Sequence, residues 1–96
     1  MSKKVILEST VNQGALDRLM PFLEANLPAV RGFPGCLSVK VLMDQATGTL
    51  MFAEEWLSVE HHQSYIKAIA ENGVMDELVS YLKSPPNIKY LDCVEI

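Results

Sequence analysis

Cysteine is nearly absent from this sequence: Cys36 and Cys93 are the only two among 96 residues. Two thiols so far apart match neither a metal-binding spacing nor a redox pair. Each lies in a strand-like run and reads as a small buried hydrophobe. Long apolar runs are lacking too. None approaches the roughly 20 residues that span a bilayer, so no membrane partner is expected. There is no basic cluster, and the formal net charge is −4. A nucleic-acid binder presents a basic face, which excludes that class. The N-terminus, Met1-Ser2-Lys3-Lys4, is basic but soon gives way to Glu8, Ser9 and Thr10. That pattern fails as a secretion signal and predicts a cytoplasmic protein. Glycine-rich phosphate loops, a Ser-His-Asp arrangement and groups of His, Cys and acids at metal spacing are all missing. No metal and no cofactor is therefore expected. An enzyme built on this chain would rely on few side chains or on the substrate's own reactivity.

What is there is a core. Hydrophobic residues make up 49% of the chain and charged residues 21%, the composition of a folded domain. The length predicts a single domain, residues 1–96. The margin of stability at this size is thin, so self-association is a reasonable way to add burial.

The hydrophobic spacing predicts four strands and two helical regions. Val5 to Val11 alternates as a strand. Asn12 is placed to cap a helix in which Leu16, Leu19, Met20, Leu23 and Leu27 recur at helical spacing. Pro21 predicts a kink within it, and Pro28, Gly32, Pro34 and Gly35 close the segment. A second strand, Cys36 to Met43, puts Leu37, Val39, Val41 and Met43 on one face. Asp44 to Gly48 forms a hairpin turn. Thr49 to Leu57 is the third strand, with Leu50, Phe52, Glu54 and Trp56 on one face. Ser58 caps the next helix, with Glu60 in its first turn and Val59, His62, Tyr65, Ile66 and Ile69 as its inward stripe. Asn72-Gly73 breaks it, and Asn72 is placed to cap a short third helix carrying Met75, Leu78, Val79 and Leu82 inward. After Ser84-Pro85-Pro86, Ile88 to Ile96 alternates as a last strand.

The order βαββαβ predicts an α+β, ferredoxin-like fold: a four-stranded antiparallel sheet with helices on one face. The second and fourth strands are then the edges, which keeps Cys36 and Cys93 apart. The uncovered sheet face retains apolar side chains. A bare patch of that kind calls for a cover, and a second copy of the chain supplies one, so a homodimer through the open face is expected.

Four candidates for chemistry cluster around the end of the third strand. Trp56 is either a core aromatic or a ring lining a pocket between sheet and helices. His62 lies in the middle of an inward stripe, so it must find a hydrogen-bond partner or face a cavity. It is either a satisfied core histidine or a proton acceptor near neutral pH. Tyr65 shares its side of the helix and either packs or orients a phenolic or carbonyl ligand. Glu54, between Phe52 and Trp56, is either at a wet edge or paired. His61 sits off the stripe and is expected to be exposed and idle.

Three segments carry a resemblance: Arg31-Gly32-Phe33-Pro34-Gly35-Cys36-Leu37; Phe52-Ala53-Glu54-Glu55-Trp56-Leu57-Ser58-Val59-Glu60 leading into Tyr65; and Leu82-Lys83-Ser84-Pro85-Pro86. Together they resemble the antibiotic biosynthesis monooxygenase family, which is related to quinol monooxygenases. The resemblance implies a dimer whose two sheets pack into an α/β barrel. It also implies oxidation of a small aromatic hydroxy compound, of the quinol, phenol or anthrone type, by O₂ without flavin, metal or haem. On this chain it implies Trp56 lining the pocket, His62 as base or proton donor, and Tyr65 positioning the substrate; Phe52 and Glu54, on the strand face of Trp56, are further candidate substrate contacts. Two positions depart from the family. Some oxygenase members carry an asparagine four residues before the tryptophan, where this chain has Phe52. Many place a histidine nine residues after it, where this chain has Tyr65. The Asn-Trp-His set of a haem-degrading branch has no counterpart. The fold serves many functions, so a non-catalytic dimeric ligand binder and a proton-transfer cyclase or isomerase stay open beside the oxygenase.

Overall fold

Strict alternation builds the sheet. In β1 (Lys3–Thr10), Val5, Leu7 and Ser9 are buried while their neighbours are not. In β3 (Thr49–Trp56), Leu50, Phe52, Glu54 and Trp56 are buried in the same way. The computed structural model describes residues 2–96. Its remaining elements are α1 (Leu16–Arg31), β2 (Cys36–Asp44), α2 (Val59–Glu71), α3 (Val74–Ser80) and β4 (Asn87–Leu91). The strands form one antiparallel sheet in the order β2-β3-β1-β4, the ferredoxin-like α+β arrangement. The helices pack on a single face. There Leu19, Phe22, Leu23 and Val30 of α1 and Leu78 of α3 meet Val5, Leu7, Val39, Leu50, Phe52 and Trp56 of the sheet. Each such side chain contributes about 1.5–3 kcal/mol by leaving water. Among the described residues, no helix is long and apolar enough to cross a membrane.

Three local expectations are corrected here. Asn12 does not cap α1, whose N-cap is Ala15. The Asn12 amide instead donates to the Leu82 carbonyl at 3.1 Å, beside the Val11–Leu82 bridge. Helix α1 runs through Pro28 to Arg31, with Gly32 as its C-cap. Pro21 and Pro28 are both exposed, so water can reach the carbonyls that they leave unpaired. Leu37 points outward rather than inward. A register shift between Cys36 and Ser38 inserts it as an extra residue, and such a bulge turns the following side chains over. Leu37 is half exposed as a result, while Val39 returns to the core. The last strand stops at Leu91. Its neighbour β1 begins at Lys3, and Leu91 already lies opposite Lys4, so the chain beyond it runs out of partner.

The loop into β2 is held closely. Gly35 takes φ +89°, a left-handed conformation that side chains rarely adopt. Its carbonyl accepts from the Leu57 amide at 2.8 Å, and the space where a Cβ would stand is filled by the ring of His61. His61 is therefore neither exposed nor idle. It is half-buried, and its Nδ1 shares a 2.7 Å hydrogen bond with Ser58 Oγ. Ser58 caps α2 as expected, its Oγ accepting from the His61 amide at 3.1 Å.

The sheet face away from the helices is uncovered. Ile6, Met51 and Ala53 lie there half-buried, with Leu42 and Leu91 exposed. The pairing sets Ile6 beside Ala53, and Leu42 beside Met51. Both cysteines are free thiols, Cys36 half-buried and Cys93 exposed.

Candidate functional site

The alternation of β3 drives a carboxylate into the core. Glu54 has Phe52 and Trp56 on its own strand face, and only 7% of it is exposed. A buried carboxylate needs partners, and Trp56 supplies one: its Nε1 donates to Glu54 Oε1 at 2.8 Å. Burial pushes the Glu54 carboxyl above the usual carboxylate range, and the Trp56 hydrogen bond offsets this only in part. Trp56 itself is wholly buried. Its ring packs against Phe33 and Tyr65, with centroids 6.2 and 5.4 Å away.

Helix α2 places His62 over the same spot. Its imidazole is 0% exposed and stands edge-on to both Trp56 and Tyr90, at 5.3 and 5.4 Å. Nδ1 shares a 2.8 Å hydrogen bond with the Tyr90 hydroxyl. Among the described residues Nε2 has no hydrogen-bond partner; Glu54 Oε1 is an acidic oxygen 3.7 Å from it. Burial lowers the His62 pKa to about 4, so the ring is neutral at physiological pH. Tyr65 is pushed up to about 12, first by burial and then by the nearby Glu54 and Cys36. Its hydroxyl is therefore a donor and not a base.

A cleft of about 50 Å³ opens between the sheet and the helices. Its walls are apolar residues of β1 to β3, α1, α2 and α3, and its polar lining is limited to Asn26, Glu54 and Tyr65. Among the described residues, no lysine or arginine lines it. A cavity that holds benzene measures about 150 Å³, so a single ring fits only by using the open mouth or by spreading the walls. Phe52, Glu54 and Tyr65 all line this cleft. Trp56 and His62 do not; they stand behind Glu54, one holding its carboxylate and the other facing it. The group nearest the cleft that can accept a proton is thus Glu54.

Two features escaped sequence reasoning. Asn26 faces the cleft from α1, where its Nδ2 donates to the Phe22 carbonyl at 2.8 Å; its place in the helical stripe was the available signal. Tyr90 is the partner of His62. Its alternation with Ile88 put it on the inward face, but nothing local linked it to a residue 28 positions earlier.

None of the curated proteins matches the chain in sequence. Solved structures match its fold closely. An antibiotic biosynthesis monooxygenase is 20% identical, with a TM-score of 0.85 over 97% of this chain and 99% of its own. Rv0793 from Mycobacterium tuberculosis is 18% identical, with a TM-score of 0.83 over 100% and 98%. A conserved protein from Methanosarcina mazei Go1 is 15% identical, with a TM-score of 0.83 over 95% and 91%. At these identities the likeness is one of fold. The family model described as antibiotic biosynthesis monooxygenase matches residues 4–68, more than half of the sequence, and the chain belongs to that family.

Proposed function

We propose that this protein is a cofactor-independent monooxygenase that oxidises a small, neutral aromatic hydroxy compound with O₂. The observation that carries the reading is Glu54: a buried carboxylate of raised pKa on the wall of an apolar cleft, held by a single indole N–H. A base of that kind suits proton abstraction from a hydroxyarene. The absence of a cation from the lining disfavours carboxylate or phosphate substrates. Once deprotonated, the electron-rich ring gives one electron to O₂. The resulting radical pair combines to a peroxide anion, which takes back a proton. Loss of water then leaves a carbonyl, with one oxygen atom of O₂ in the product and the other in water. Glu54 serves as base and then as acid, Phe52 and Tyr65 hold the ring, and Trp56 and His62 hold and tune the carboxylate.

The test is oxygen uptake by the purified protein with reduced naphthoquinols and anthrones, using ¹⁸O₂ and mass spectrometry of the product. Uptake above the spontaneous rate, with one labelled oxygen incorporated, is the expected result. Uptake no faster than the spontaneous rate across the panel would overturn the reading. Exchange of substrate C–H for solvent deuterium without uptake would identify a redox-neutral proton-transfer enzyme instead.

We also propose that the open sheet face pairs with a second copy of the chain. Ile6, Leu42, Met51, Ala53 and Leu91 form an apolar centre on that face, and Lys4, Glu8, Lys40 and Lys89 lie around it. Sedimentation at micromolar concentration is expected to give a dimer, and Ala53→Asp a monomer. A wild-type monomer under those conditions would remove the proposal.

A further inference from the structure

The geometry points to His62 and Tyr90 as a proton conduit that links Glu54, on the cleft wall, to the β4 edge of the sheet. The proposal rests on Glu54 being the group that takes the substrate's proton. Three observations carry it. His62 is wholly buried, yet its Nε2 has no partner among the described residues. An unpaired buried polar atom is costly, and a histidine kept only for packing would be expected to satisfy both nitrogens. That unpaired nitrogen is 3.7 Å from Glu54 Oε1, just beyond hydrogen-bond length. A shift of under an ångström would join the two. On the opposite side of the ring, Nδ1 is already bonded to the Tyr90 hydroxyl, and Tyr90 lies half-buried on an edge strand.

The transfer balances with one proton in and one out. The proton on Glu54 Oε1 moves to His62 Nε2, and the carboxylate is regenerated. The imidazolium releases its Nδ1 proton to the Tyr90 oxygen, and the Tyr90 hydroxyl gives its own proton to water. The reverse sequence returns a proton to Glu54 for the peroxide step. No electrons move. Burial raises the carboxyl and lowers the imidazole, so of the two the carboxyl holds the proton more tightly and the imidazolium is the short-lived member of the relay. The other groups near the path are Tyr65 on the same helix, Cys36 on β2 and Arg31 on α1. Burial raises Tyr65 and Cys36, so both stay protonated at neutral pH, and the Arg31 guanidinium is occupied with the Val39 carbonyl at 3.0 Å.

The test needs no substrate in its first arm. In protein labelled with ¹⁵N-histidine and ¹³C-glutamate, the His62 ring nitrogens are expected to shift as the Glu54 carboxyl titrates. Glu54→Gln is expected to abolish that movement, and Tyr90→Phe to change the tautomer balance of His62. His62 nitrogens that ignore the Glu54 titration would overturn the conduit. The second arm is turnover. With oxygen uptake present, Tyr90→Phe is expected to lower kcat about tenfold or more with KM unchanged. An unchanged kcat would overturn the conduit as well. A wild type without uptake defeats the oxygenase reading alone, because the spectroscopic arm still decides whether the three groups share a proton.

Discussion

Glu54→Gln is expected to cut the kcat of oxygen uptake by about two to three orders of magnitude and, at neutral pH, to make the protein more stable. Both effects follow from one change. Glutamine keeps the shape of the side chain and an oxygen that can still accept from Trp56 Nε1, so packing is preserved. What it lacks is a proton acceptor of carboxylate strength. The stability effect has a definite pH dependence. Because the folded-state pKa of Glu54 is raised, ionising it costs stability. That cost is absent below the unfolded value, about 4.3, and grows as pH rises through the folded value. The variant carries no such cost, so its advantage should be missing near pH 4 and largest near pH 8. His62 works in the opposite sense. Its folded pKa is lowered to about 4, so its contribution is lost as pH falls from about 6.5. That loss is common to both proteins and cancels to first order in the comparison. Urea unfolding across pH 4–8 reads the difference. A variant with no gain at pH 8 would mean that Glu54 is not held against its preference to be neutral.

Gly35→Ala is expected to destabilise the fold by about 3–5 kcal/mol, the sum of a strained backbone and an overfilled contact. At φ +89° an alanine is strained whatever surrounds it. Its Cβ would also overlap the Cβ and ring carbons of His61, atoms fixed by the first turn of α2 and by Ser58. The helix start must then move, and with it His62 one residue on. Gly14 is a suitable control. It has φ +79° with nothing near the space for a Cβ, so Gly14→Ala should cost only the backbone part, about 1–2 kcal/mol. Adding His61→Ala to Gly35→Ala should recover only the share due to the ring, because alanine keeps the Cβ that also overlaps. Equal costs for the two glycine substitutions in urea unfolding would show that the His61 contact carries no weight.

The sheet was readable because period-two alternation is local. Leu50, Phe52, Glu54 and Trp56 share one face by spacing alone, and the order of the elements then admits few topologies. The misread places all depend on something outside their own segment. Leu37 is the extra residue of a bulge that exists only in the pairing of β2 with β3. The C-terminal residues alternate well but have no strand beside them after Leu91. Asn12 is a good cap by type, yet the backbone between β1 and α1 gives it carbonyls of the α3 exit instead. The site divides similarly. That Glu54 and His62 point inward follows from strand and helix periods. That they face each other, and that Tyr90 closes the line, depends on three elements meeting across the core. Glu54 is also the residue whose chemistry is set least by its own type. Burial raises its pKa above that of an ordinary carboxyl, and the Trp56 hydrogen bond offsets this only in part.

The two prolines of α1 fall at either end of the segment that walls the cleft. Pro21 withholds a donor from the Asp17 carbonyl and Pro28 withholds one from Glu24, while Phe22, Leu23, Asn26 and Leu27 between them line the cavity. Two rungs of the helical ladder are thus missing on the solvent side of the wall that a ring-sized guest must push back. The facing wall, α2, contains no proline. One jaw lacks two backbone rungs, and the jaw without proline carries His62. Any bending of α1 would widen the cleft without moving His62, which α2 carries.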